Sequence, residues 1–556
     1  MRILGINAVF HDPAAALVVD GEVVAAAEEE RFTRRKHGKR PVPFSTWELP
    51  EQSAAWCLAH AGLTPEDLDA VSYSYDPALA PTPRDEVTAN AWEGLRTLYV
   101  ERAPSFLSTA LPGFDPAMLR YVPHHVAHAA SAYHAAPYRD ASVLSLDGRG
   151  ETATHLAGRS RRGDLEVMAS TELPHSLGLL YEELTEHLGF LRSSDEYKVM
   201  ALASYGTPTH LDAFRDLVRV REDGTFTVDN VDWAAFAKPV QRAEARHRPT
   251  EEVWKEEHAD LAASVQVRLE EVVLDLARWL HARTGDRVLT MAGGVALNCV
   301  ANSRLAREGP FETVWVQPAA GDAGTALGGA LYLSHQAGDR TQPLSTIALG
   351  RSWSDEELAA CLHTAGVPYE RPADIAEATA AVLADDGIVA WYQGRSEWGP
   401  RALGHRSLLA HPGHAANVER LNDVKGREEF RPVAPMVLLE RASDIFDGPL
   451  PSPYMLFVHQ VRRPWRDRIP AVVHVDGTAR IQTVDHDDEP QVHRLLDRFA
   501  RRTGLPVVAN TSLNTAGRPI VDDPRDALEC LGSAPIDALA IGPYLVRRRA
   551  LFGGGA

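Results

Sequence analysis

A chain of 556 residues exceeds the size at which one hydrophobic core keeps growing, so at least two domains are expected. A formal charge of −19 excludes broad binding to nucleic acid or to anionic membrane, because both need a cationic face that displaces counterions. Cys57, Cys299, Cys361 and Cys530 stand far apart and form no CxxC or Cys/His cluster, which points to reduced thiols in a cytoplasmic protein. The apolar start is cut short by Asp12 and Pro13, too early for a signal-peptide core, and no apolar run approaches the roughly 20 residues that span a bilayer.

In chain order, RILGINA, AAALVVD and EVVAAAEEE read as three strands, the last two joined by an Asp20-Gly21 hairpin. The turn after the first strand, NAVFHDPAAAL, offers no Gly, Ser or Thr between Ala8 and Leu17, so it lacks the phosphate cradle of a sugar kinase. It presents His11 beside Asp12 instead. An imidazole there suits proton abstraction from an attacking hydroxyl, and it equally suits a structural turn held by Asp12. Lys36 in TRRKHG is able to stabilise developing negative charge, although a basic run is usually a solvated face. Residues 50 to 62 are expected to be helical; 39 to 50 and 76 to 115, with their aromatics and prolines, are expected to cover an apolar ligand.

Within YVPHHVAHAASAY, His124 and His128 are spaced to share one helix face, where both imidazoles reach one ion; such a pair on its own is more often surface or core. The strand-hairpin unit then returns at residues 142 to 170, as SVLSLDGRG, TATHLAG, a turn containing Gly163-Asp164, and LEVMAST. Duplicated modules suggest two facing halves. With the helix expected over 260 to 284, this pattern resembles the actin-like ATPase fold.

DRVLTMAGGVALNCVANSRL and ETVWVQPAAGDAGTALGGALYL each read as strand, Gly-bearing turn, helix, the arrangement that brings a ligand to backbone amides. Asp147, at the end of SVLSLD, and Asp322, in the GDAG turn, are edge-of-cleft positions in a two-lobed fold. Together with His124 and His128 they form a thiolate-free set suited to Fe(II), Mn(II) or Zn(II). After a turn-rich stretch at 335 to 350, the composition shifts to the Arg-rich RSEWGPRALGHR, then NDVKGREEFRPVAP and LPVVANTSLN, and a second domain is expected there.

Taken together, HDPAAAL, EEERFTRRKHG, HHVAHAASA, SLDGRGE, EYKVMALASYG, GGVALN and GDAG resemble the O-carbamoyltransferase family of antibiotic and nodulation pathways, along nearly the whole chain. The resemblance implies an α/β protein: an actin-like (ASKHA-type) duplicated domain over 1–345, and a YrdC-like α/β domain over 351–556. It implies that the C-terminal domain turns carbamoyl phosphate and ATP, with Mg(2+), into carbamoyladenylate. The N-terminal domain would pass the carbamoyl group to a hydroxyl and release AMP.

Matched by motif, His124, His128, Asp147 and Asp322 would hold a divalent metal, usually Fe(2+) in the family, with Mn or Zn as alternatives. His11 would be the acceptor-side base and Lys36 the nearby cation. Gly293, Gly294, Asn298 and Asn302 would line the adenosine side. Lys425, Arg480, Asn510 and Ser512, with Arg401, Arg406 and Arg431 in support, would contact ATP and carbamoyl phosphate, since two anionic substrates in one pocket need several cations. The acceptor is expected to be a small molecule, first an ansamycin macrolactam and next an aminoglycoside. No nucleic-acid or membrane partner is expected, and a homodimer is admitted. The competing classes are an actin-like small-molecule kinase, which would yield ADP, a tRNA-threonylcarbamoylating enzyme, which would need a basic face, and a nucleotide-driven regulatory protein, which would need no metal set.

Overall fold

The computed structural model describes residues 1–38, 48–80, 91–241 and 253–551. It separates into two compact units, Met1–Ser345 and Thr346–Ala556.

The first unit repeats one sheet twice. β1 (Arg2–Asn7), β2 (Ala14–Val19), β3 (Glu22–Glu28), β4 (Ala70–Tyr73) and β5 (Leu119–Tyr121) form a five-stranded sheet in the order β3-β2-β1-β4-β5. β6 (Asp140–Leu146), β7 (Ala153–Arg161) and β8 (Asp164–Glu172) make the second meander. After a separate hairpin of β9 (Val218–Val220) and β10 (Phe226–Val228) come β11 (Val288–Ala292) and β12 (Thr313–Val316), which complete the order β12-β11-β6-β7-β8. In both sheets three antiparallel strands are followed by two parallel ones. This duplicated topology is the actin-like fold.

The local chemistry explains the repeat. β1 is buried from Ile3 to Asn7, as its unbroken apolar run requires of a central strand. Asp20 and Gly21 take φ of 51° and 82°, the paired left-handed conformation of a two-residue hairpin. In the second meander the equivalent pair is Arg162 and Gly163, at 55° and 97°, and Asp164 already opens β8. The turn therefore sits one residue earlier than the Gly163-Asp164 pair suggests, because Gly there serves the second left-handed position.

Glycines also set the spacing of the helices that carry the site. A Cβ on Gly328, in the helix Ala323–Gln336, would lie 1.8 Å from the carbonyl oxygen of Ala127 in the helix His124–Tyr133. A Cβ on Gly5 of β1 would lie 1.8 Å from the carbonyl oxygen of Ala326. Backbone-to-backbone packing thus locks β1 and these two helices together.

The second unit is α/β, built on one mixed sheet. Its strands are β13 (Val389–Tyr392), β14 (Arg406–Ala410), β15 (Ala434–Leu438), the short β16 (Phe446–Asp447), β17 (His459–Val461) and β18 (Thr478–Ala479), then β19 (Gln482–Val484), β20 (Val507–Ser512), β21 (Ala538–Ile541) and β22 (Tyr544–Arg547). The main sheet runs β19-β15-β20-β14-β13-β21-β22, and β16, β17 and β18 form a small sheet beside it. Trp391, Leu408, Leu409, Met436, Val508 and Leu539 are among the residues of one continuous buried core.

Candidate metal centre and active site

His124 and His128 lie on one face of the helix His124–Tyr133, both without solvent exposure. Asp147 follows β6, and Asp322 immediately precedes the helix Ala323–Gln336. Their ligand atoms converge. His124 Nε2 lies 3.6 Å from Asp147 Oδ2 and 3.7 Å from Asp322 Oδ1; for His128 Nε2 the distances are 3.7 and 3.5 Å. Bonds of about 2.1 Å to a tetrahedral ion would space neighbouring ligands by roughly 3.4 Å.

The second layer aims these groups. His124 Nδ1 donates to the Ser74 carbonyl at 3.0 Å, which leaves Nε2 for an ion. Gly294 N–H donates to Asp147 Oδ1 at 2.7 Å and leaves Oδ2 facing the histidines. The buried Glu151 carboxylate accepts from the amides of His124 at 2.9 Å and Asp76 at 2.7 Å, so it caps this helix and ties it to the end of β4. Burial pushes the Glu151 carboxyl up.

The residues fit a divalent cation. His124 Nε2, His128 Nε2 and both Asp322 carboxylate oxygens are buried and lack hydrogen-bond partners, each a cost of about 1–3 kcal/mol unless something binds them. Burial raises the Asp147 carboxyl, but His124 and His128 outweigh it and hold it well below the usual range. Burial lowers His124, yet Asp147 and Asp322 hold it well above its ordinary value. His125 stands apart from the set, and burial, then the His124 charge, pushes it down to about 3.

His11 sits at the rim of this cluster, with Nε2 3.8 Å from Asp322 Oδ2 and Nδ1 2.9 Å from Asp12 Oδ2. Lys36 Nζ lies 5.7 Å from the centre of the Tyr197 ring, where the charge of Asp195 reaches it. The helix Glu196–Ala203 brings Glu196 to the same region, and its Oε1 is buried without a hydrogen-bond partner. Burial, then Glu182, pushes Glu196 from 4.5 to about 7. An acid whose pKa is raised by folding binds its proton in the native state first, so its contribution makes stability fall as pH rises between those values. Glu196→Gln removes that penalty. Its thermal stability relative to the parent is expected to grow by about 1–3 kcal/mol between about pH 5 and about pH 8, discounted for the partial exposure of the group. Melting curves at the two pH values check this, and an equal difference at both contradicts it.

On the neighbouring turn, Gly293 has φ of 92°, and a Cβ there would lie 2.1 Å from the Leu146 carbonyl oxygen. Asn298 caps the helix Cys299–Glu308 by accepting from Ala301 N–H at 3.1 Å, and donates to Gln266 Oε1 at 2.8 Å. Asn302 has no solvent exposure, and its amide donates to the Ala296 carbonyl at 2.8 Å. Asn302 thereby supports the turn. The segments expected to cover an acceptor lie in part outside the described residues, at 39–47 and 81–90.

In the second unit, Lys425 ends the helix Asn417–Lys425 and donates to Ser512 Oγ at 2.8 Å, to the Ser512 carbonyl at 2.6 Å and to Asn514 Oδ1. Asn510, on the same face of β20 as Ser512, donates to the Ala402 carbonyl at 2.9 Å and to Gln482 Oε1 at 3.1 Å. These bonds gather Lys425, Asn510, Ser512 and the loop of Arg401 at one end of the sheet. Arg480 enters two residues before Gln482, with a buried Nε that has no hydrogen-bond partner. Arg431 pairs with Glu428 at 3.5 Å, and its carbonyl accepts from Asn422 on the Lys425 helix.

Arg406 also serves the backbone around it. It is fully buried, donates to the carbonyls of Gln393, His405, Arg351 and Gly394, and stacks 3.7 Å over the Tyr392 ring. Its two terminal nitrogens build the loop, while its Nε is buried without a hydrogen-bond partner. Glu397, which sequence reasoning did not single out, does the complementary work by accepting from the amides of Leu403, His405 and Arg406.

An actin-like unit with a His/Asp cluster beside a turn without Gly, Ser or Thr, followed by a second α/β unit, is the framework of a group-transferring enzyme. Residues 2–114 and 110–331 match the Carbamoyltransferase N-terminus, and residues 380–548 match the Carbamoyltransferase C-terminus. The chain belongs to the carbamoyltransferase family, and it is an enzyme of carbamoyl transfer. It is 37% identical to nodulation protein NolNO of Sinorhizobium fredii, over 98% of this chain and 80% of that protein. It is 38% identical to nodulation protein NolO of Bradyrhizobium diazoefficiens, over 77% and 79% respectively. An uncharacterized protein of Synechocystis is 37% identical over 99% and 97%. No helix among the described residues is long and apolar enough to cross a membrane.

Proposed function

We propose that this carbamoyltransferase works in two steps: in the C-terminal unit water displaces inorganic phosphate from carbamoyl phosphate and the carbamate oxygen then bonds to the α-phosphorus of ATP, with Mg(2+), expelling pyrophosphate and leaving carbamoyladenylate, and the N-terminal unit moves the carbamoyl group to a hydroxyl. The observation that carries the reading is His11, with Nδ1 on Asp12 and Nε2 turned to Asp322, in the turn where a kinase of this fold would cradle phosphate. In the transfer step the acceptor oxygen bonds to the carbamoyl carbon. The bond from that carbon to the phosphate oxygen breaks, AMP leaves with the electron pair, and the hydroxyl proton passes to His11 Nε2.

His124, His128, Asp147 and Asp322 would hold the ion, iron(II) first and manganese(II) or zinc(II) as alternatives, because two imidazoles and two carboxylates without thiolate suit these metals. When bound, the ion supplies Lewis-acid polarisation of carbamoyl or phosphate oxygens. Lys36 adds a cation near the leaving group. In the C-terminal unit, Lys425 and Arg480, with Arg401 and Arg431, neutralise phosphate charge, while Asn510 and Ser512 add short polar contacts. An ansamycin-type macrolactam is the first acceptor and an aminoglycoside the second.

The test is incubation with ATP, magnesium and carbamoyl phosphate and no acceptor. AMP and pyrophosphate that depend on carbamoyl phosphate are expected. ADP, or products independent of carbamoyl phosphate, overturn the reading and restore the kinase. Turnover of an aminoglycoside and of no macrolactam overturns the acceptor assignment alone.

A further inference from the structure

The turn that carries His11 is tied into a hydrogen-bonded chain through two further loops. Asp12 Oδ2 lies 2.9 Å from His11 Nδ1, and Asp12 Oδ1 lies 2.8 Å from His37 Nδ1. His37 Nε2 lies 2.8 Å from Ser194 Oγ. The backbone reinforces each link. The Asp12 amide donates to the His37 carbonyl at 3.3 Å, the Asn7 side chain donates to the His11 and Asp12 carbonyls at 2.9 Å each, and the His37 amide donates to Glu30 Oε2 at 2.6 Å.

The backbone is strained where these loops meet. Asp12, His37 and Ser193 have φ of 50°, 59° and 55°. Each left-handed non-glycine residue costs about 1 kcal/mol or more, and such conformations persist where the surroundings over-determine them. Local structure alone does not require all three.

One carboxylate between two imidazoles dictates where their hydrogens lie. Each of its oxygens accepts from an Nδ1–H, so the Nε2 of His11 carries the lone pair and faces Asp322 Oδ2, and Ser194 Oγ donates to the Nε2 of His37. Burial pushes the Asp12 carboxyl up, but His37 and His11 outweigh it and hold it well below the usual carboxylate range, so it remains an acceptor.

We infer that Asp12 and His37 are positioning residues of the transfer step: Asp12 clamps His11 in the tautomer and orientation that present Nε2 to the acceptor hydroxyl, and His37, held by Ser194, locks Asp12. The inference rests on the proposed role of His11 as the base. The arrangement acts through geometry. Without Asp12 the imidazole is free to rotate and to carry its hydrogen on Nε2, where it has no lone pair to offer.

The experiment uses the full chain, loaded with zinc and labelled with 15N at histidine, with the His11 signals assigned from His11→Gln. The parent is expected to show His11 as the Nδ1–H tautomer, and Asp12→Asn to shift it largely to Nε2–H. His37→Ala is expected to give a mixture, and His37→Gln, which retains an N–H for Asp12, to restore the parent signature. With a descarbamoyl ansamycin as probe, Asp12→Asn is expected to lower kcat on the order of 10²-fold while KM changes by less than about threefold. His11 found as Nε2–H in the parent, or left unchanged by Asp12→Asn, overturns the inference. A parent that makes no AMP from carbamoyl phosphate instead counts against the two-step reaction, and the tautomer signature still decides the clamp.

Discussion

With His124, His128, Asp147 and Asp322 as the proposed metal ligands, His128→Ala is expected to abolish divalent-ion binding and carbamoyl transfer. His128 is buried without exposure, and its Nε2 stands 3.5 Å from Asp322 Oδ1 and 3.7 Å from Asp147 Oδ2. Removing it leaves three donors and a cavity that water enters. Loss of an outer partner alone weakens metal sites by about 10- to 100-fold, and loss of a direct ligand exceeds that. Metal content per chain, measured by plasma mass spectrometry after dialysis, is expected to fall to a small fraction of the parent value. Transfer is expected to fall on the order of 10³-fold, the size of a Lewis-acid contribution of several kcal/mol. Pyrophosphate formation from ATP and carbamoyl phosphate is expected to persist. Unchanged metal content in this variant removes His128 from the ligand set.

Lys425→Ala is expected to produce the opposite separation. The ammonium donates to the Ser512 carbonyl, Ser512 Oγ and Asn514 Oδ1, which hold a positive charge at this end of β20. Phosphate oxygens that gain charge during adenylation lose a positioned cation, and pyrophosphate release is expected to slow on the order of 10²- to 10³-fold. Metal content is expected to stay at the parent value. Lys425→Met, which preserves the bulk of the side chain, separates lost charge from lost packing: both variants are expected to be slow. Normal pyrophosphate release in Lys425→Met removes the activating role from this end of the sheet.

Much of the framework was legible without coordinates. The strand-hairpin modules are local events, set by apolar runs and by turn residues that accept left-handed backbone, and they repeat at similar spacing in both halves. The shared face of His124 and His128 follows from helical periodicity, whereas Asn510 and Ser512 came only with the family resemblance. The missing phosphate cradle after β1 was equally plain, since it depends only on which residues occupy one turn.

The tertiary structure decided which of these residues act together. His37 and Ser194 are 157 positions apart, and Asp147 and Gly294 are 147 apart, yet each pair is hydrogen-bonded. No periodicity reports such distances. Glu151 lies inside a quoted motif, but its task as a cap on the His124 helix exists only once that helix docks beside it. Arg406 and Asn302 show another side of this: residue type suits them to a ligand, and the surrounding carbonyls of Gln393, Gly394, Arg351 and Ala296 also accept from them. Residue type and local spacing settle what a side chain is able to do. Only the closing of loops on one another settles what it faces, because a buried polar group takes the partner that long-range packing leaves within reach.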